Sequence, residues 1–182
     1  MTLVPIRIVP DPVLRAKAAP IAKIDHVAES LLDDMLQTMY DAPGIGLAAP
    51  QIGVSLRAIV MDLGNREDRA GAEVWQMINP EIIARSDEES AYEEGCLSIP
   101  GVAAEVVRPA MVRVRYLARN GKTEEMEASG LLATCVQHEI DHLNGVLYID
   151  YISKLKRDVL LRKMKKLLAE KADDTPEREH NL

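Results

Sequence analysis

The segment His138-Glu139-Ile140-Asp141-His142 constrains this chain more than any other. It lies in a run from Ser129 to Leu143 whose apolar positions, Leu131, Leu132, Ala133, Val136, Ile140 and Leu143, suit a buried helix. Ser129 suits an N-cap and Asn144-Gly145 suits a stop. Residues four apart stack on one helical face, so His138 and His142 can grip one metal ion. Glu139 follows the first histidine and reaches the same space. Two imidazoles, a neighbouring carboxylate and an open metal position make up a hydrolase site. A histidine pair at this spacing can also be surface decoration. The chain has only four histidines, His26, His138, His142 and His180. A buried imidazole pair beside a carboxylate also needs a reason to be there, which favours the metal.

A third ligand is less apparent from spacing. Downstream, Ser153 to Lys171 holds no histidine and one glutamate, Glu170, far along a basic stretch. The two cysteines are better candidates. Cys135 falls on the helical face of His138 but on the far side of it from His142, which suits a pocket wall better than a ligand. Cys96 sits in Glu93-Glu94-Gly95-Cys96-Leu97-Ser98-Ile99-Pro100, where glycine permits close backbone approach and proline ends regular pairing. Its thiolate could close a Cys/His/His site; a small buried hydrophobe is the commoner role of a free cysteine.

A third segment, Gly44-Ile45-Gly46-Leu47-Ala48-Ala49-Pro50-Gln51, follows a predicted helix and precedes a predicted strand. No Lys-Ser/Thr follows it, so it is not a phosphate loop. Its small residues suit close approach of backbone to a ligand, with Gln51 supplying an amide.

Taken together and in order, GIGLAAPQ at 44–51, EGCLS at 94–98 and QHEIDH at 137–142 resemble the signatures of the peptide deformylases. The resemblance runs from about Pro5 to about Lys171. It implies Cys96, His138 and His142 as metal ligands and Glu139 as general base and then acid. Gln51 and the Leu97 N–H would form the oxyanion site, and Gly46 would keep its loop close to the metal. Main-chain groups of Ile45 and Gly95 would hold an extended substrate, with Leu131 and Cys135 near its methionine side chain. The implied reaction is hydrolysis of the formyl group from N-formyl-methionyl nascent peptides, releasing formate. The implied metal is Fe(II), with Zn(II), Ni(II) or Co(II) as substitutes; imidazole and thiolate ligands suit several of these. Many bacterial members carry an arginine-containing stretch after EGCLSIP, where this chain has Gly101-Val102-Ala103-Ala104. This stretch therefore offers no basic side chain for substrate contact. Asp141 has no implied role; it could orient a ligand histidine, pair with a basic group such as Arg108, or be a plain surface aspartate.

The rest of the chain bounds the fold. Its 182 residues suit one domain, placed at 1–171, with 172–182 as a disordered tail. The expected class is α+β, with mixed or antiparallel sheets packed around the metal-binding helix and a C-terminal amphipathic helix at about 153–171. Asp25 should cap a helix through Tyr40, with Val27, Leu31, Met35 and Met39 on its apolar stripe. Strands are predicted near 57–62, 74–79, 104–108, 112–118 and 123–127, the last two joined by Asn120-Gly121. Asn65 to Ala72 reads as an exposed loop. Two separated cysteines suggest no disulfide framework, and no signal peptide or membrane span is evident, so a cytoplasmic protein is expected.

Eight Lys/Arg crowd Ser153 to Ala172 in a chain of net charge −7. The plain reading is a solvated helix face; the sharper one, which the resemblance supports, is contact with the ribosome. Removing that helix is then expected to spare turnover of short formyl-peptides. Neither DNA nor a membrane is an expected partner. Two other classes compete: a peptidase of the HExxH type, and a metal-stabilised binding module. The first lacks a plausible downstream ligand, and the second usually closes its metal with four protein ligands.

Overall fold

Helix α1, His26–Asp41, begins where Asp25 accepts hydrogen bonds from the Val27 and Ala28 N–H groups. Its buried face is Ala28, Leu32, Met35, Thr38 and Met39. Val27, expected on that face, is 63% exposed. Positions 28, 32, 35 and 39 satisfy the helical period as well as 27, 31, 35 and 39, and packing selects the former. The computed structural model describes residues 2–64 and 73–173, so the expected loop at 65–72 and residues 174–182 of the expected tail lie outside the described residues.

Seven strands follow: β1 Gly46–Ala48, β2 Ala58–Asp62, β3 Val74–Arg85, β4 Glu89–Cys96, β5 Ile99–Pro109, β6 Met111–Leu117 and β7 Thr123–Ser129. Helix α2, Gly130–Leu143, follows β7, and α3, Lys154–Asp173, comes last. One sheet has the order β1-β2-β3-β6-β7, and β4 and β5 form a separate hairpin. Every pairing of these strands is antiparallel.

Several elements differ from expectation. The segment 44–51, read as a loop, contains β1 and a 3-10 turn over Ala49–Ile52. Strand β4 has no predicted counterpart, because its glutamates and serine mask the strand period. The predicted strand at 74–79 extends to Arg85 with irregular register against β6. Ser129 precedes α2, but its side chain makes no capping bond.

Helix α2 lies against the five-stranded sheet, where Val136, Ile140 and Leu143 share a core with Ile59, Met61 and Val114. Helix α1 packs on β1 and β2 through a second core. A third core joins the β4–β5 hairpin to Leu147, Tyr148, Ile149 and Met164. Fully burying one such aliphatic side chain contributes about 1.5–3 kcal/mol, so α2 is held in place by its neighbours. No helix among the described residues is long and apolar enough to cross a membrane.

Candidate active site

Helix α2 is polar where its neighbours are polar. Gln137, His138, Glu139 and His142 are all buried, and a buried polar group must find a partner. Strand β4 brings Cys96 to the histidines. Register between β4 and β5 shifts from Gly95 opposite Ala103 to Cys96 opposite Ile99, and such a shift re-aims the side chain beside it. One ligand atom from each of Cys96, His138 and His142 then lies within 4.8 Å of the other two, with Cys96 Sγ 3.3 Å from His142 Nε2.

The orientation of His138 is set from behind. Its Nδ1 lies 2.8 Å from Glu94 Oε2. Burial pushes the Glu94 carboxyl up, but hydrogen bonds from His138 and Arg108 outweigh it and hold it below the ordinary range. An ionised carboxylate has no proton to give, so Nδ1–H donates and Nε2 is left toward Cys96. Arg108 donates to both Glu94 oxygens, at 2.5 and 3.0 Å, and to Asp141 Oδ2 at 2.8 Å. Tyr151 donates to the same Asp141 oxygen and lies under the Arg108 guanidinium. The Tyr148 ring stacks on His138. Asp141 thus pairs with Arg108, one of the three options its sequence left open.

Sequence reasoning assigned no role to Glu94. A signal was available: Glu93 and Glu94 are adjacent, and if the segment is a strand one of them must face inward. Recognising that strand was the missing step.

The donor set suits a divalent cation. Burial alone pushes the His138 imidazole down, yet its hydrogen bonds to Cys96 and Glu94 raise it well above the ordinary value. Surroundings that hold a proton this way also attract a metal cation. Burial, with the charges of His138 and Arg108 nearby, pushes His142 down, so its ring is neutral and able to ligate. His142 Nδ1 is buried without a hydrogen-bond partner among the described residues.

Glu139 follows His138 on α2 and lines the same cleft as Cys96 and His138. Its Oε2 is also buried without a partner among the described residues. Burial is the main cause that pushes its carboxyl up to about 7, against the opposing charge of His138. The chain opposite is Gly46, held by the pairing of β1 with β2. A Cβ there would lie 2.9 Å from Cys135 Sγ and would clash with Glu139 Oε1. Gly46 is therefore required by space.

Gly46, Glu94, Cys96, His138 and Glu139 line one cleft of about 780 Å³. Gln51, Leu97, Ile45, Gly95, Leu131 and Cys135 line it as well. Gln51 Oε1 accepts from the Ala48 N–H at 2.8 Å, which turns the amide nitrogen toward Ser98 Oγ at 3.3 Å and Cys96 Sγ at 3.5 Å. The Ile45 carbonyl already accepts the Asp62 N–H at 2.9 Å, while its side chain is part-exposed in the cleft. Gly95 belongs to β4, one of whose edges is unpaired by any strand among the described residues. Leu131, Cys135 and Glu139 follow one another at four-residue spacing along α2, so they form one wall. Burial pushes the Cys135 thiol well up, so it stays protonated.

Known proteins share this architecture. A family model described as polypeptide deformylase matches residues 3–158. A peptide deformylase of Mesorhizobium japonicum is 58% identical over 94% of this chain and 97% of its own. The crystal structure of a peptide deformylase from Legionella pneumophila superposes with a TM-score of 0.88, at 46% identity over 96% of this chain and 100% of that one. A peptide deformylase from Ehrlichia chaffeensis, solved in complex with actinonin, gives 0.86 at 42% identity, over 92% and 98% of the two chains. A match over most of the chain, close relatives and a shared fold agree: this chain belongs to the polypeptide deformylase family of hydrolases.

Proposed function

We propose that this chain hydrolyses the formyl group from N-formyl-methionyl nascent peptides and that Glu139 is its general base and acid. The observation that carries the reading is the buried, unpartnered Glu139 Oε2 beside three clustered ligand atoms in an open cleft. Cys96, His138 and His142 hold a divalent metal, Fe(II) in the working enzyme, with Zn(II), Ni(II) or Co(II) as substitutes. Such an ion supplies a Lewis acid that makes water more acidic and polarises a carbonyl. Glu139 accepts the proton of the attacking water and returns it to the leaving amine. A carboxyl poised near neutral pH suits both transfers. Gln51 and the Leu97 N–H donate to the oxygen that gains charge, and one such donor is worth roughly 100- to 1,000-fold in rate.

The methionine side chain rests on the wall of Leu131 and Cys135, and Ile45 and Gly95 flank the extended peptide. Gly46 keeps β1 close enough for Glu139 to work. Residues 1–171 act as one catalytic domain in the cytoplasm, and the solvent face of α3 offers its cations to the ribosome. Formate release from formyl-Met-Ala-Ser, with protein prepared anaerobically with Fe(II), tests the reading. The parent is expected to release formate, and Glu139→Ala is expected to lose about 100- to 10,000-fold. No release from a folded, metal-loaded parent would end the assignment. Undiminished release by the variant would end the role of Glu139.

A further inference from the structure

Helix α3 contributes one side chain to the cleft, Lys163. Its backbone there is fixed. Met164, the next residue, is 1% exposed in the third core, and Leu160, Leu161, Leu167 and Leu168 pack against that core. Leu167, one turn on, lies so close to Gly101 that a Cβ on that glycine would come within 2.9 Å of it. Gly101 has φ of +76°, which favours glycine in any case. The helix is thus seated directly on the hairpin that borders the cleft.

The charges lining the cleft are unequal. Its acids are Glu93, Glu94 and Glu139, and Lys163 is its only lysine or arginine among the described residues. Arg108 neutralises Glu94 from behind, and Glu139 is buried at the floor. Lys163 is exposed and makes no ion pair or hydrogen bond among the described residues. Several other cations of α3 are engaged: Lys154 by Asp158, Arg157 by Asp150 and Lys166 by Glu170. No acid lies three or four residues from Lys163 on its own helix. An unpaired ammonium at the border of a peptide cleft is available to the peptide. It also lies beyond residue 158, where the family match ends.

We propose that Lys163 is a specificity-determining residue that favours substrates carrying an acidic group downstream of the formyl-methionine. This rests on the deformylase reading above. An exposed charge pair in water is worth little and is screened by salt, so the expected preference is about two- to five-fold. It should appear in KM, because the contact is remote from the reacting atoms and is made equally in ground and transition states.

The test uses C-terminally amidated formyl-Met-Ala peptides with Glu or Lys at the third or fourth residue, assayed by formate release with the full-length, metal-loaded protein. The parent should prefer Glu at one of these positions in low salt and lose the preference in high salt. Lys163→Glu should invert it, Lys163→Arg should keep it, and Lys156→Glu, on the same helix but outside the cleft, should leave it unchanged. A Glu-to-Lys ratio unmoved in a folded Lys163→Glu protein would overturn the inference while leaving the deformylase reading standing. An equal shift with Lys156→Glu would overturn it in favour of the general field of α3. No formate from any peptide would remove the deformylase reading and this inference together.

Discussion

Helices α2 and α3 are both amphipathic by sequence, yet they use their polar residues in opposite ways. On α2, ten of fourteen residues are buried, among them Gln137, His138, Glu139 and His142. Each such group must be partnered by another segment or by a ligand. Glu94 and Arg108 answer for His138, and Cys96 lies against His142. On α3, Met164 is the fully buried anchor, and the charged residues point mainly to water. The difference teaches how to read a charged residue: burial turns it into a structural or chemical commitment, while exposure leaves it a solvated surface group. Substitutions on the α2 site should therefore change chemistry, and those on α3, Lys163 at the cleft apart, should change stability or very little.

The strongest way to break this comparison is Gly46→Ala. The added methyl meets the end of the Glu139 side chain, which can move, and the Cys135 sulfur. The fold should survive, while turnover falls by about 100-fold or more, as expected when a reacting group is displaced. Formate release alongside thermal unfolding separates the two, and full activity would mean that Glu139 tolerates displacement. Arg108→Met comes next. It leaves Glu94 buried without its cation, which should cost about 3–5 kcal/mol in denaturant unfolding. Metal affinity, followed by competition with a chelator, should fall about 10- to 100-fold as His138 loses its support.

On α3 the effects should be of another kind. Met164→Ala should cost about 2–5 kcal/mol through the cavity it leaves, with kcat on short formyl-peptides unchanged where the protein is folded. A parallel fall in kcat would show that α3 positions the chemistry as well as the cleft wall. Lys166→Ala removes an exposed pair with Glu170 at 3.8 Å and should change stability by about 0.5 kcal/mol or less. A larger change would sharpen the comparison by giving α3 a charged network of its own.

Packing also alters an expectation about α3. Removal of the whole helix was expected to spare short-peptide turnover. Met164 closes the third core, Leu167 sits on the hairpin at Gly101, and Lys163 lines the cleft. Deleting the helix therefore exposes a core, and the single substitutions above are the cleaner tests.

By itself the sequence determined the local facts: a helix carrying histidines four apart, its stop at Asn144-Gly145, the Asp25 cap, the hairpin at Asn120-Gly121, and three motifs whose order marks the family. Each depends on residues close in the chain, where helical period, capping and turn chemistry act. Tertiary structure decided what depends on distant partners. It chose Ala28 over Val27 for the core face of α1, and it made a strand of the acidic stretch 89–96. It joined Glu94 and Arg108 behind His138, and it brought Lys163 from the last helix to the cleft. Those outcomes turn on which groups lose water together, and local sequence carries no record of who the neighbours will be.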